Sequence, residues 1–281
     1  MKRVICAAGL VAVVSALSAP LSAQWPKFTT PGVPRTAAGQ PILDAPTPRT
    51  SDGKPDLSGI WMRPAGQGSG ANQKPIPAPP GTPPLATFFD VGAGFPEGLP
   101  FQPWAAELKK KRNDANSKDN PDAHCLPMGF MQFHLHPQPR RIIQTPTLIT
   151  IIYEANYGLR HIFMDGRSLP PNGEPQPWWY GYSVGRWQGD TLVVETNNLR
   201  DDGWLDVRGS PYTDQAQITE LFRRVNFGKL EIDITIDDPK AYTKPFTVRV
   251  NQEILVDGEM IEFICNENNR FPEYLRGNKA Q

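Results

Sequence analysis

His134-Leu135-His136 is the most metal-like string in the chain. On an extended segment alternate side chains point to one side, so both imidazoles can reach one ion, with His124 or His161 as a third ligand. Pro137 and Pro139 follow directly and no carboxylate stands nearby, so the competing reading is a part-exposed loop, and no metal is assigned. Carboxylates are spread over segments of strand character: Glu154, Glu195, Glu231, Asp233 and Glu262. If the polar face of those strands lines a lumen, two of them can form a general acid/base pair, with Glu195, Glu231, Glu262 and Tyr182 as the catalytic candidates. The plainer reading puts that face in solvent, opposite cross-strand cations such as Arg249.

Aromatic residues offer a third chemistry, recognition by stacking. Trp178, Trp179 and Tyr180, with Tyr182 just beyond, fall at the end of a Pro-rich stretch and are the candidate ligand-binding set. Trp61 and Trp187 read instead as strand core. Asp201-Asp202-Gly203 and Asp237-Asp238-Pro239 lack the alternating oxygen ligands of a calcium loop and read as turns. Asn268-Asn269 reads as a cap on the last strand. There is no Gly-rich phosphate loop, no Gly-x-Ser-x-Gly elbow and no Cys-x-x-Cys pair, so no cofactor is expected.

The elements that must position these groups are mostly strands. From Arg140 onward apolar-rich runs follow one another, broken at Pro146, Gly158, Asp165-Gly166 and Gln188-Gly189-Asp190. Leu230, Ile232, Ile234 and Ile236 alternate with Glu231, Asp233 and Thr235, the period of a strand with one buried face. Phe246 to Leu255 and Met260 to Cys265 read as a further hairpin around Val256-Asp257-Gly258-Glu259. Such a succession predicts an all-β fold, an antiparallel meander closing into a barrel, since closure removes exposed edges. The segment from Arg167 to Gly181 reads as a long loop crossing one end of the sheet.

Upstream, prolines crowd the region from Pro26 to Pro103 and favour an extended arm. Within it lie one short strand around Gly59-Ile60-Trp61 and, further on, one short helix, Trp104 to Asn113. The expected organisation is therefore a signal peptide over 1–23, a Pro-rich arm over 24–139 packed on the barrel, and the barrel domain over 140–281.

Met1-Lys2-Arg3 followed by the uncharged run Val4 to Leu17 and small residues at Ser22-Ala23 is the pattern of an export signal cleaved near Ala23. Cys6 leaves with it, and an even pair remains, Cys125 and Cys265. In an oxidising compartment that pair is read first as a disulfide, with two separate buried thiols as the alternative. Lys+Arg 29 balances Asp+Glu 29, so nucleic acid is a poor partner, and no membrane span is expected in the mature chain. The oligomeric state is left open.

Four strings occur in order: Asp56-Leu57-Ser58-Gly59-Ile60-Trp61, Gly185-Arg186-Trp187-Gln188-Gly189-Asp190-Thr191-Leu192-Val193-Val194, Thr235 through Pro245, and Cys265-Asn266-Glu267-Asn268-Asn269. Together they resemble a large family of secreted or periplasmic bacterial proteins without an assigned activity, over about Asp56 to Arg270. The Gly-x-Trp strand followed by hairpins is also loosely similar to lipocalin architecture. The chain departs from the family pattern at Tyr182-Ser183, where many members carry His-Ser. It departs again at Pro211-Tyr212-Thr213-Asp214, where they carry Pro-His-Ser-Asp. A tyrosine donates a hydrogen bond but does not exchange a proton near neutral pH as histidine does, which weakens an enzymatic reading. The leading expectation is an exported, periplasmic or secreted lipocalin-like barrel that binds a small apolar or aromatic ligand. The alternatives are a hydrolase, lyase or isomerase using lumenal carboxylates, and an envelope interaction module.

Overall fold

Period-two alternation becomes a closed wall in the computed structural model, which describes residues 28–64, 77–174 and 176–267. The expected signal segment and Asn268-Asn269 lie outside the described residues. Nine strands close into one barrel in chain order. They are β1 (Gly59–Met62), β2 (Arg140–Gln144), β3 (Leu148–Tyr153), β4 (Leu159–Phe163), β5 (Tyr182–Gln188), β6 (Thr191–Asn197), β7 (Gln217–Arg224), β8 (Lys229–Asp237) and β9 (Phe246–Ile254). Leu230, Ile232, Ile234 and Ile236 of β8 are buried inside, whereas Glu231 and Asp233 reach outward cations.

Two features depart from the expected meander. The barrel is mixed rather than wholly antiparallel, because β4 and β5 run parallel and pair only at Ile162↔Ser183 and Phe163↔Val184. A parallel neighbour requires the chain to travel back along the wall first, and residues 164–181 are that return path. Composition marks such a stretch as non-strand but says nothing of the direction in which the next strand runs. The second departure is the last hairpin: β9 ends at Ile254 and residues 255–267 form no strand. The free edge of β9 is taken by β1, which pairs Trp61↔Ile254 and Met62↔Glu253 on one side and Gly59↔Ile142 on the other. The short strand placed in the arm by sequence is thus a stave of the barrel.

The registers define two rims. The turns after β2, β5 and β7 and the exit of β9 lie at the upper rim; the entries to β2, β7 and β9 lie at the lower. Helix α1 (Pro103–Asp114) lies outside the wall with only Ala105 buried, and Trp104 Nε1 donates to Lys240 O at 2.8 Å. Helix α2 (Phe130–Leu135) is buried at all six positions, its Phe, Met and Leu side chains in the core and its Gln132 and His134 hydrogen-bonded, and it enters the barrel from the lower rim. Its carbonyl at His134 accepts from Arg140 Nη1 at 2.5 Å on β2 and from Gln252 Nε2 at 2.7 Å on β9. Gly129 precedes α2 because a Cβ there would stand 1.8 Å from Trp204 O. Near the same rim Cys125 and Cys265 form a disulfide with Cα atoms 5.5 Å apart.

Candidate functional site

The interior is filled, so a site must be sought among its polar groups or outside it. Glu220 of β7 is fully buried and is the hub of a polar layer. Arg160 of β4 forks onto it, Nη1 donating to Oε1 at 3.1 Å and Nη2 bonding Oε2, while Arg160 Nε and Nη2 also donate to Ser183 Oγ. Thr196 Oγ1 accepts from Arg160 at 3.0 Å. His134 Nε2 lies 2.7 Å from Glu220 Oε1; an ionised carboxylate only accepts, so Nε2 carries the proton. Burial holds the His134 pKa down to about 4, with the Arg160 and Arg140 charges acting in the same direction against Glu220. Burial would raise Glu220, yet Arg160 and His134 overcome it and hold the carboxyl at about 2. Strand residues and α2 thus close an ion pair and a neutral imidazole in a buried layer, with Phe130 and Phe133 facing the guanidinium.

The histidines do not converge. His134 is inside the barrel, while His136 is at the lower rim, with Nδ1 accepting from Gln138 N at 3.3 Å and Nε2 4.0 Å from Asp122. His124 Nε2 lies 2.7 Å from Lys118 O, and His161 stacks on Phe163. Leu135 and His134 lie on a helix, so the two candidate imidazoles do not share the one side an extended segment would give them. Among the described residues no group of three or more His, Cys, Asp or Glu could hold a metal ion.

The carboxylate candidates are also dispersed. Glu195 pairs with Arg186 on the outside, Glu231 pairs with Lys229 at 2.8 Å and Arg249 at 3.2 Å, and Glu262 lies exposed after β9. Of the aromatic set, Trp178 and Tyr182 meet with ring centroids 5.5 Å apart, and Tyr182 continues onto Phe163 at 5.1 Å. Arg167 covers the end of this outer-wall pile, 3.9 Å above Phe163, and donates to Tyr182 Oη at 2.9 Å. Trp178 is 42% exposed. Trp179 is partly buried against the core under Arg200, and Tyr180 is buried beside Phe133 and Tyr153. The four therefore split between an outer-wall pair, Trp178 and the half-buried Tyr182, and a core-packed pair.

One concave site forms where the wall is thinly paired. β5 outruns β4 beyond Val184, and the resulting seam opens at the upper rim into a cleft of about 480 Å³. Its walls are Thr145 and Pro146 of the β2–β3 turn, Met164, Trp187 and, from the rim, Thr50 to Asp52. Gly185 forms part of the lining, and a Cβ there would stand 2.5 Å from Met164 Sδ and 2.9 Å from Ile162 Cγ2, so a larger residue must displace those side chains. Arg186 adds a cation that Glu195 already neutralises.

The rim wall of that cleft belongs to a repeat. Pro34-Arg35-Thr36-Ala37-Ala38-Gly39-Gln40-Pro41 and Pro48-Arg49-Thr50-Ser51-Asp52-Gly53-Lys54-Pro55 share Pro-Arg-Thr-x-x-Gly-x-Pro. Each copy folds into the same clip. In the first, Thr36 N donates to Gln40 O at 2.9 Å, Gly39 N to Thr36 O at 2.9 Å, and Arg35 Nη1 to Gly39 O at 2.9 Å. In the second, Thr50 N donates to Lys54 O at 2.9 Å, Gly53 N to Thr50 O at 2.9 Å, and Arg49 Nη1 to Gly53 O at 2.8 Å. Each arginine then grips an aspartate at the upper rim, Arg35 to Asp257 and Arg49 to Asp190. Between the clips, Gly228 N and Phe227 N donate to Leu43 O and Ala45 O, so residues 30–58 run along the rim from turn to turn. Reading for strand and cofactor signals misses this; comparing the two Pro-Arg-Thr strings reveals it.

No family model, no curated protein and no solved structure matches the chain.

Proposed function

We propose that the protein is an exported β-barrel, of the secreted family its four strings resemble, that binds a small ligand with an apolar or aromatic body in the seam cleft. The observation that carries this reading is the cleft itself. Its volume of about 480 Å³ lies within the range of small-molecule sites; Trp187, Met164 and Pro146 supply apolar walls, and Thr50, Asp52, Gln144, Thr145 and Arg186 supply a comparable polar lining. A lipocalin-like barrel would hold its ligand in the lumen; here α2 and the polar layer fill that space, which favours the rim. Catalysis by lumenal carboxylates finds less support, since Glu195 and Glu231 face outward in ion pairs and Glu220 is closed off from solvent.

Titration of the mature protein with N-phenyl-1-naphthylamine, a neutral aromatic fluorophore, tests the reading. Binding with a dissociation constant on the order of 10 μM is expected. Trp187→Ala should weaken it about tenfold, the scale of a lost aromatic wall, while Trp178→Ala leaves it unchanged. Circular dichroism of both variants checks the fold. Equal binding by Trp187→Ala would sink the seam site, and loss on Trp178→Ala would move it to the outer aromatic pile.

A further inference from the structure

We infer that the second Pro-Arg-Thr clip is the gate of the seam cleft, and that the Arg49–Asp190 pair is its latch. The inference rests on the ligand reading above and adds how the site is opened.

The two clips share three internal hydrogen bonds, differ in how Thr36 and Thr50 use their hydroxyls, and are held to the barrel differently. Asp257, the anchor of the first, takes Arg35 and also accepts from Thr30 N at 2.9 Å, while its own N–H donates to Thr30 Oγ1 at 2.8 Å. The first latch is also the more sheltered, with the Arg35 and Asp257 side chains 21% and 35% exposed. Asp190 takes the Arg49 fork, at 2.9 and 2.6 Å, with Lys54 as a second nearby cation, and the Arg49 and Asp190 side chains are 47% and 65% exposed. Exposed ion pairs are weak and are screened by salt, so the second clip is the one that lets go first.

Its position gives that release a consequence. Thr50, Ser51 and Asp52, the turn of the second clip, are a wall of the cleft, whereas the first clip contributes no residue to it. The opposite wall, Gly185 to Trp187, runs directly into the Gln188-Gly189-Asp190 turn that carries the latch carboxylate. Breaking one ion pair therefore frees the rim wall from the barrel wall on either side of the cleft. Both ends of the clip remain tied: Thr47 Oγ1 donates to Arg224 O at 2.9 Å, and Gln144 Nε2 donates to Pro55 O at 3.1 Å. The free length is the turn between those two anchors, which is long enough to swing and too short to leave.

Amide hydrogen exchange on wild type and Asp190→Ala, together with stopped-flow binding of N-phenyl-1-naphthylamine, tests the gate. Asp190 lines no part of the cleft, so the substitution removes the latch without touching the site. Exchange at Thr50 and Gly53 should rise about two- to fivefold in Asp190→Ala, the release expected of one exposed ion pair, while Thr36 and Gly39 keep their rates. Association and dissociation of the fluorophore should accelerate together and leave the dissociation constant within about twofold, as a gate and not a contact requires. Salt at 1 M should reproduce the effect in wild type and add nothing in the variant. Unchanged exchange at Thr50 and Gly53, or a variant that alters affinity at constant association rate, would overturn the gate. Failure of wild type to bind the fluorophore would overturn the ligand reading, and the exchange comparison would still decide whether the second clip opens.

Discussion

Arg160 and Glu220 illustrate what a single residue can demand of its surroundings. Both are buried, and each is tolerable only because the other, with Ser183, Thr196 and His134, satisfies it. Arg160→Met leaves a buried carboxylate without its counter-charge and is expected to destabilise the protein by about 3–5 kcal/mol in urea unfolding. Arg160→Met combined with Glu220→Leu should recover most of that loss, because the uncompensated charge goes with it. Equal stability of the single and double variants would contradict the account. The two histidines add a pH dependence of definite sign. Burial holds His134 and His136 at about 4 in the fold, whereas an unfolded histidine binds its proton near about 6.5. The unfolded chain therefore takes up protons that the folded one refuses. Stability is full above pH 6.5 and is lost as pH falls toward 4, at up to about 1.4 kcal/mol per pH unit for each histidine. His136→Asn, which keeps an acceptor for Gln138 N, should flatten the fall in urea midpoint measured from pH 7 to pH 4.5. An unaltered slope would show that His136 is not held neutral by the fold.

At the scale of elements, the strands that alternate well were legible and the unusual joins were not. β7, β8 and the β5–β6 hairpin follow from Ile218 to Val225, Leu230 to Ile236 and the Gln188-Gly189-Asp190 turn, because period-two burial and turn chemistry are local properties. The helix read at Trp104 to Asn113 also forms, as Pro103–Asp114. The parallel join of β4 to β5 was not legible, since Arg167 to Gly181 reads the same whether it returns the chain or merely turns it. Phe130–Leu135 escaped notice as a helix because its six residues are apolar around most of the circumference and too few to show a period. His134, which reads in sequence as part of a part-exposed loop, is therefore an interior donor to Glu220.

For the molecule as a whole, the closure of the chain on itself is the main fact. β1 enters between β2 and β9, the rim segment runs back over the upper turns, and the Cys125–Cys265 disulfide ties the region before α2 to the chain after β9. That bridge spans a sequence separation of 140 and is expected to contribute on the order of 4–5 kcal/mol by restricting the unfolded chain. Cys125→Ser with Cys265→Ser should lower the urea midpoint accordingly while the far-ultraviolet circular dichroism of the folded protein stays the same. A midpoint unaffected by the double substitution would show that the unfolded chain gains little freedom when the bridge is removed.

Sequence alone determined the all-β character, the face that each well-alternating strand buries and the absence of a charge excess, because each depends on neighbours or on simple counts; it favoured the Cys125–Cys265 pair, which the structure then shows. Only the tertiary structure decided which strand closes the barrel, that the lumen is filled, and where a cleft remains. Those outcomes depend on which distant segments meet: Gly59–Met62 with β9, His134 with Glu220, and Thr50 to Asp52 with Trp187 across the seam. A strand edge carries the same hydrogen-bonding groups whichever partner fills it, so the sequence of one edge does not name the other.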